Sequence, residues 1–294
     1  MIDAALVLEG GAMRGIYTAG VLDVLMEKEI EFSYVIAASS GALVAVNYIS
    51  KQIGRAARVN LLHSKDHNFF GFRQFFRSAG NAFNFDYLFN EPINSLYPYD
   101  EKTLRSSKQK FYVIATNCKT GQPEYFSRST YEEMANVLIA SGSVPLLTRM
   151  AYVDEVPYYD AYISDPFGLK KAMADGCKKI VVVSTRPAEY RKKNHTSPFI
   201  ASIKMAYAKY PELVKTWAKT SQLYNQVAEE MIQMEREGKI IVVRPQKPLN
   251  VSAMERNTKK LLLGYLQGRD DICKKLPAIN DYLGRLDYVE VLQK

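Results

Sequence analysis

Leu6-Val7-Leu8-Glu9-Gly10-Gly11-Ala12-Met13-Arg14-Gly15 is an apolar run closed by a cluster of small residues, and its reading decides the fold. Positions 4–8 read as a short buried strand, the glycines as a tight turn, and the spacing over 13–28 as an amphipathic helix. A second unit follows at once: Phe32–Ala38 is β-compatible, Ser39-Ser40-Gly41 punctuates it, and 42–50 returns to helical spacing. Two successive strand, turn, helix units predict an α/β fold of three layers, with a mostly parallel central sheet flanked by helices.

Further along, 110–116 and the nearly continuous apolar run 180–184 read as strands, 131–141 as a helix, and 152–159 as a hairpin turning at Asp154-Glu155. After Pro198 the pattern is helical over 199–237 with a break at Pro211, then a strand at 240–243 and helices to near Leu286. Between them, 68–89 is rich in aromatics (among them Phe69, Phe72, Phe76, Phe83 and Phe85) interleaved with Arg73 and Arg77. Such a segment is either an acyl-binding cap that meets lipid or ordinary core packing.

Apolar residues at 47% and charged residues at 24% exclude a disordered chain. Cys118, Cys177 and Cys273 are odd in number and far apart, so neither a disulfide framework nor a zinc site is expected, and a reducing cytoplasm fits best. The first residues lack the basic flank and apolar length of a signal peptide, and no window has the roughly 18 apolar residues of a spanning helix. A formal charge of +8 suits an anionic partner such as a phospholipid surface or nucleic acid, although many basic proteins have none.

Two clusters of small residues carry the chemistry. Ala37-Ala38-Ser39-Ser40-Gly41 approximates the G-x-S-x-G elbow, in which a strand turns sharply into a helix and thrusts a serine hydroxyl out at the sheet's end. Gly41 meets the demand for a small flank outright, and Ala37 replaces the first glycine with the next smallest side chain. On its own, Ser39 reads more readily as a plain N-cap than as a nucleophile. The bare amides of the 10–15 turn could form an oxyanion hole. The same turn fits the dinucleotide fingerprint through Gly10, Ala12 and Gly15, but 30–38 ends in Ala37-Ala38, where that fingerprint wants a carboxylate.

The two clusters together, with Ala19-Gly20-Val21-Leu22, Ala140-Ser141-Gly142-Ser143-Val144-Pro145 and Tyr158-Tyr159-Asp160-Ala161, resemble the patatin-like phospholipases of bacteria over roughly residues 4–187. The resemblance implies a Ser-Asp dyad, with Ser39 as nucleophile and Asp160 as its base. It further implies an oxyanion hole at Gly10, Gly11, Ala12, Met13 and Arg14, elbow support from Ala37 and Gly41, and lipid acyl esters as substrates. No metal or organic cofactor and no nucleic acid are expected. The expected setting is cytoplasmic, with peripheral contact to anionic membrane. The division it suggests is a catalytic domain over 1–190 and a mainly helical part over 191–294 packed on the same domain. A non-catalytic lipid-binding protein on this scaffold is the alternative.

A serine hydroxyl is a poor nucleophile until a neighbouring base takes its proton. His63 and His67 adjoin the aromatic segment and His195 sits in a polar loop, so all three read as surface residues and a carboxylate must serve. Asp154, Asp165 and Asp175 rival Asp160 by position alone. Arg14 is placed either to neutralise a substrate phosphate or to pair with a surface carboxylate. Ala12 and Ala161 stand where the family has glycine, and each costs about 1–2 kcal/mol if its φ must be positive.

Overall fold

The computed structural model describes residues 1–66, 80–85, 96–128 and 134–285. Strand β1 (Ile2–Leu8) runs through a 3-10 turn (Ala12–Arg14) into α1 (Gly15–Glu27), and β2 (Phe32–Ala38) turns at Ser39 into α2 (Ser40–Ile49). Then come α3 (Arg55–His63), α4 (Glu101–Ser106), β3 (Lys110–Asn117), β4 (Pro123–Ser127) and α5 (Met134–Gly142). The hairpin of β5 (Ala151–Val153) and β6 (Val156–Asp160) leads into a second 3-10 turn (Ala161–Ile163), α6 (Leu169–Ala174) and β7 (Ile180–Val183). Last among the described residues come α7 (Ser197–Ala206), α8 (Pro211–Arg236), β8 (Ile241–Val243) and α9 (Thr258–Leu283). Most of segment 68–89 and the start of the helix read over 131–141 lie outside the described residues.

Strands β3, β2, β1, β7 and β8 lie side by side in that order and are parallel, which makes β1 the point where strand order reverses. Alternation along the strands separates two apolar faces. Leu6, Leu8, Val35 and Ala37 pack under α1, α2 and α9, whereas Ala5, Val7, Ile36 and Ala38 pack against α6 and α8. Three layers result, as expected from the repeated strand, turn, helix units.

The antiparallel strands bring distant residues to the end of β2. Ile114 of β3 pairs with Ala38 of β2 on one side and with Tyr125 of β4 on the other. The next residue, Ala115, pairs with Glu124 of β4 and with Asp160 of β6. Since β4 holds one edge throughout, β2 and β6 share the opposite edge end to end. Asp160 therefore arrives where Ser39 leaves the sheet.

The C-terminal helix is keyed into the α/β layers rather than tethered beside them. A Cβ on Gly20 of α1 would lie 2.1 Å from the Tyr265 carbonyl oxygen, and one on Gly268 of α9 would lie 2.1 Å from that of Tyr17. Only bare backbones allow so close a crossing. Tyr265 donates to Asp23 at 2.8 Å, Tyr17 to Asp271 at 3.0 Å, and Arg269 to both oxygens of Glu27 at 2.8 Å. Gly268→Ala must push two helices apart, and it is expected to destabilise by about 3 kcal/mol, read as a lowered midpoint of thermal unfolding. No helix among the described residues is long and apolar enough to cross a membrane.

Candidate active site

The site lies at the carboxyl ends of β1, β2 and β7, the crevice that parallel sheets open where strand order reverses. Ser39 has φ +53° and ψ −129°, a strained conformation for a residue with a Cβ and the geometry a nucleophile elbow imposes. The strain is held by packing. A Cβ on Gly10 would sit 2.6 Å from the Ser39 Cβ, and one on Gly41 would sit 2.7 Å from the Glu9 carbonyl oxygen. Ala37 is in the extended backbone of β2 and fully buried, so an alanine is tolerated there.

Ser39 Oγ donates to Asp160 Oδ2 at 2.6 Å, and both residues are buried. The other carboxylate oxygen, Oδ1, accepts the Tyr162 amide at 2.9 Å, so the carboxylate is fixed on both sides. Its backbone is fixed too: the Asp160 amide donates to the Ser143 carbonyl at 2.7 Å, and Thr116 Oγ1 donates to the Asp160 carbonyl at 2.9 Å. The Ser39 amide in turn donates to Ser141 Oγ at 2.8 Å. The small-residue segment that begins with Ala140 thereby braces both partners.

Burial pushes the Asp160 carboxyl up to about 7, against the opposing pull of the Ser39 hydroxyl, the Tyr162 amide and the nearby charge of Lys192. Lys192 is itself lowered to about 8, chiefly by burial, with Asp160 and Glu9 acting in the other direction. A carboxylate that gains its proton near neutrality is a far better base than one at the ordinary value of about 3.9.

Of the turn amides, Gly11 donates to Ser40 Oγ at 2.9 Å, Met13 to the Ala253 carbonyl at 3.3 Å and Arg14 to the Gly11 carbonyl at 3.1 Å. The amides of Gly10 and Ala12 have no acceptor among the described residues. Neither has that of Ser40, which opens α2 and so lacks an intrahelical acceptor. Ala12 has φ +50°, so the expected alanine cost of about 1–2 kcal/mol applies there. Ala161 starts a 3-10 turn without a positive φ, so no such cost applies to it.

Ser39 stands between two clefts. One is lined largely by Met13, Ile16, Leu43, Val44, Val59 and Phe83, with Arg55 as its one charged residue. The other, of about 910 Å³, carries Asp160, Arg14, Arg186 and Lys192 with three tyrosines. Arg14 pairs with no carboxylate among the described residues, and its Nε is buried without a partner.

The rival aspartates have other work. Asp154 and Glu155, at φ +48° and +61°, form the two-residue turn of the β5–β6 hairpin. Asp165 accepts from Tyr125 and from the Phe167 and Gly168 amides just before α6, and Asp175 pairs with Lys171. Of the histidines, His63 meets Tyr97 edge-on and His195 stacks on Phe199, while His67 lies outside the described residues.

Glu9, Ser141 and Ser143 stand in segments quoted from the sequence but without a role there, and Arg186 and Lys192 carry no signal in it at all. The carboxylate of Glu9 accepts from Ser184 Oγ at 2.6 Å, the Thr185 amide at 2.6 Å and the Tyr224 hydroxyl at 2.8 Å, which ties the glycine turn to β7 and α8. None of these contacts has a periodic signature in the chain.

Comparison with known proteins agrees with this architecture. The patatin-like phospholipase family model matches residues 6–173, more than half of the chain, and the protein belongs to that family. A second model, a domain of unknown function designated DUF6363, matches residues 210–284, which take in α8, β8 and α9. Over 190 residues the chain is 34% identical to the uncharacterized protein YjjU of Escherichia coli K12. That alignment covers 63% of this chain and 52% of YjjU, so the chain matches about half the length of that relative. The crystal structure of VipD from Legionella pneumophila superposes with a TM-score of 0.51 over 94% of this chain and 67% of VipD, at 13% identity, a likeness of fold.

Proposed function

We propose that the protein hydrolyses lipid acyl esters through a covalent acyl-enzyme on Ser39, with Asp160 as general base and acid. The observation that carries this reading is the 2.6 Å hydrogen bond from a strained, elbow-borne hydroxyl to a buried carboxylate. In the first step the Ser39 oxygen attacks the ester carbonyl while its proton passes to Asp160 Oδ2. The oxyanion that forms is received by the Gly10 and Ala12 amides, with the Ser40 amide at the start of α2 adding to the field. Collapse expels the alcohol, which takes the proton back from Asp160. A water molecule then attacks the acyl-enzyme by the same proton route and frees the fatty acid.

The apolar cleft beside Ser39 suits an acyl chain, and the charge of +8 suits peripheral contact with anionic membrane from the cytoplasm. Nothing in this chemistry calls for a cofactor or nucleic acid. With Asp160 near 7, kcat/KM for a p-nitrophenyl acyl ester is expected to rise about tenfold per pH unit below pH 7 and to level off above it. The sign follows from the base having to be unprotonated. Fatty-acid release followed from pH 5 to 8.5 tests this. Vesicle binding with no ester hydrolysis at any pH would favour the non-catalytic alternative.

A further inference from the structure

We propose that the cleft on the Asp160 side of Ser39 is a phosphate subsite built by Arg186 and Lys192 together with Arg14. It would select acyl esters whose alcohol carries a net-negative phosphate over those with a zwitterionic choline headgroup. The proposal rests on the hydrolase reading of Ser39 for its placement of the ester.

The cations of this cleft outnumber its carboxylates and touch neither of them, although the Glu9 and Asp160 charges act on Lys192 from a distance. Among the described residues, neither the Arg186 guanidinium nor the Lys192 ammonium forms an ion pair or hydrogen bond, and the Arg14 guanidinium likewise has none. Burying cations without partners is costly, and an incoming anion offsets that cost. The two carboxylates in the cleft are already engaged. Glu9 is held by Ser184, Thr185 and Tyr224, and Asp160 by Ser39 and Tyr162. Arg191, one residue before Lys192, shows the contrast, since its guanidinium is spent on Glu229 and on the carbonyls of Ala188 and Tyr190.

The free cations are held in place without being neutralised. Arg186 lies over the Tyr190 ring at 4.2 Å, and Lys192 sits between the rings of Tyr162 at 4.7 Å and Tyr224 at 5.4 Å. Aromatic faces steady a cation while leaving its charge and hydrogen-bond donors available to a ligand. They also bear on selectivity. A choline group would seek the same tyrosine faces, which the protein's own cations occupy, and no unengaged carboxylate remains to receive it. Two guanidinium forks and an ammonium match the several oxygens of a phosphate. With the acyl chain in the apolar cleft and the carbonyl at Ser39, the alcohol portion points toward this group.

The test uses the full-length Ser39→Ala protein, in which ligands are not turned over. Calorimetry would compare lysophosphatidate and lysophosphatidylcholine of one short acyl chain below their micelle concentrations, with inorganic phosphate as a third ligand. Lysophosphatidate is expected to bind at least about tenfold more tightly than the choline lipid. Arg186→Gln with Lys192→Gln is expected to bring the two lipids within about threefold. Lys110→Gln with Lys178→Gln, which removes the same charge from the opposite end of the sheet, is expected to keep the preference.

Equal binding of the two lipids overturns the proposal, and so does a preference that survives the Arg186 and Lys192 substitutions. Inorganic phosphate binding as tightly as lysophosphatidate would make the cleft a free-phosphate site and overturn the substrate assignment. The lipid comparison in Ser39→Ala alone decides the matter if the doubly substituted cleft fails to fold. Because nothing is hydrolysed, a negative result here is distinct from failure of the hydrolase reading, which is read as fatty-acid release by the unsubstituted protein.

Discussion

Ser39→Ala is expected to lower fatty-acid release by about 10⁴-fold or more, to the background of the uncatalysed ester. Loss of the nucleophile is not compensated by a neighbour, because the Ser40 hydroxyl is engaged with the Gly11 amide on the far side of the turn. The substitution keeps the Cβ that fits beside Gly10, so elbow packing and its strain are unchanged. What is lost is the donor to Asp160, a group that burial already presses toward its neutral form. The thermal midpoint is therefore expected to stay within a few degrees of the parent while activity vanishes. Retention of even a hundredth of the activity would mean that ester cleavage proceeds elsewhere.

Asp160→Asn separates catalysis from stability. Proton transfer from Ser39 loses its acceptor, and kcat is expected to fall about 10³-fold or more. Stability should move in the opposite direction above neutral pH. The folded-state value of about 7 stands above the unfolded value of about 3.9, so the unfolded chain ionises first as pH rises. Stability relative to a neutral side chain is intact below about pH 4. It is lost progressively as pH rises from about 4 through 7 and levels off above, the loss reaching about 4 kcal/mol at pH 8. An asparagine, neutral throughout, avoids that loss. The variant should melt several degrees above the parent at pH 8.5 and close to it at pH 4. Scanning calorimetry at the two pH values checks the sign, and a variant less stable than the parent at pH 8.5 contradicts the burial argument.

The two strand, turn, helix units were legible because each is a local pattern: an apolar run, a cluster of small residues, then helical spacing. Ser39 was legible for the same reason, since Gly41 follows it within two residues and the glycine turn lies one strand away. Asp160 was not legible from physics alone. Four aspartates compete between 154 and 175, and only the resemblance of 158–161 to a family segment ranked them. What places Asp160 is the sharing of one β3 edge by β2 and β6, a tertiary fact. Strand β4 went unread because Pro123 and Glu124 have low strand propensity, and the antiparallel pairing with β3 overrides it. The cost at Ala12 and its absence at Ala161 turn on one backbone angle each, which no composition reports. Arg186 and Lys192 carry no signature in the sequence, because their meaning comes from the ion pairs they lack.

Labelling with a fluorophosphonate tests the dyad most directly, since the reagent reports an activated serine whatever the natural ester. A single adduct is expected by intact mass, mapped by peptide sequencing to Ser39, forming faster at pH 8 than at pH 6 and absent from Asp160→Asn. An adduct on another residue, or none in the unsubstituted protein, would contradict the dyad.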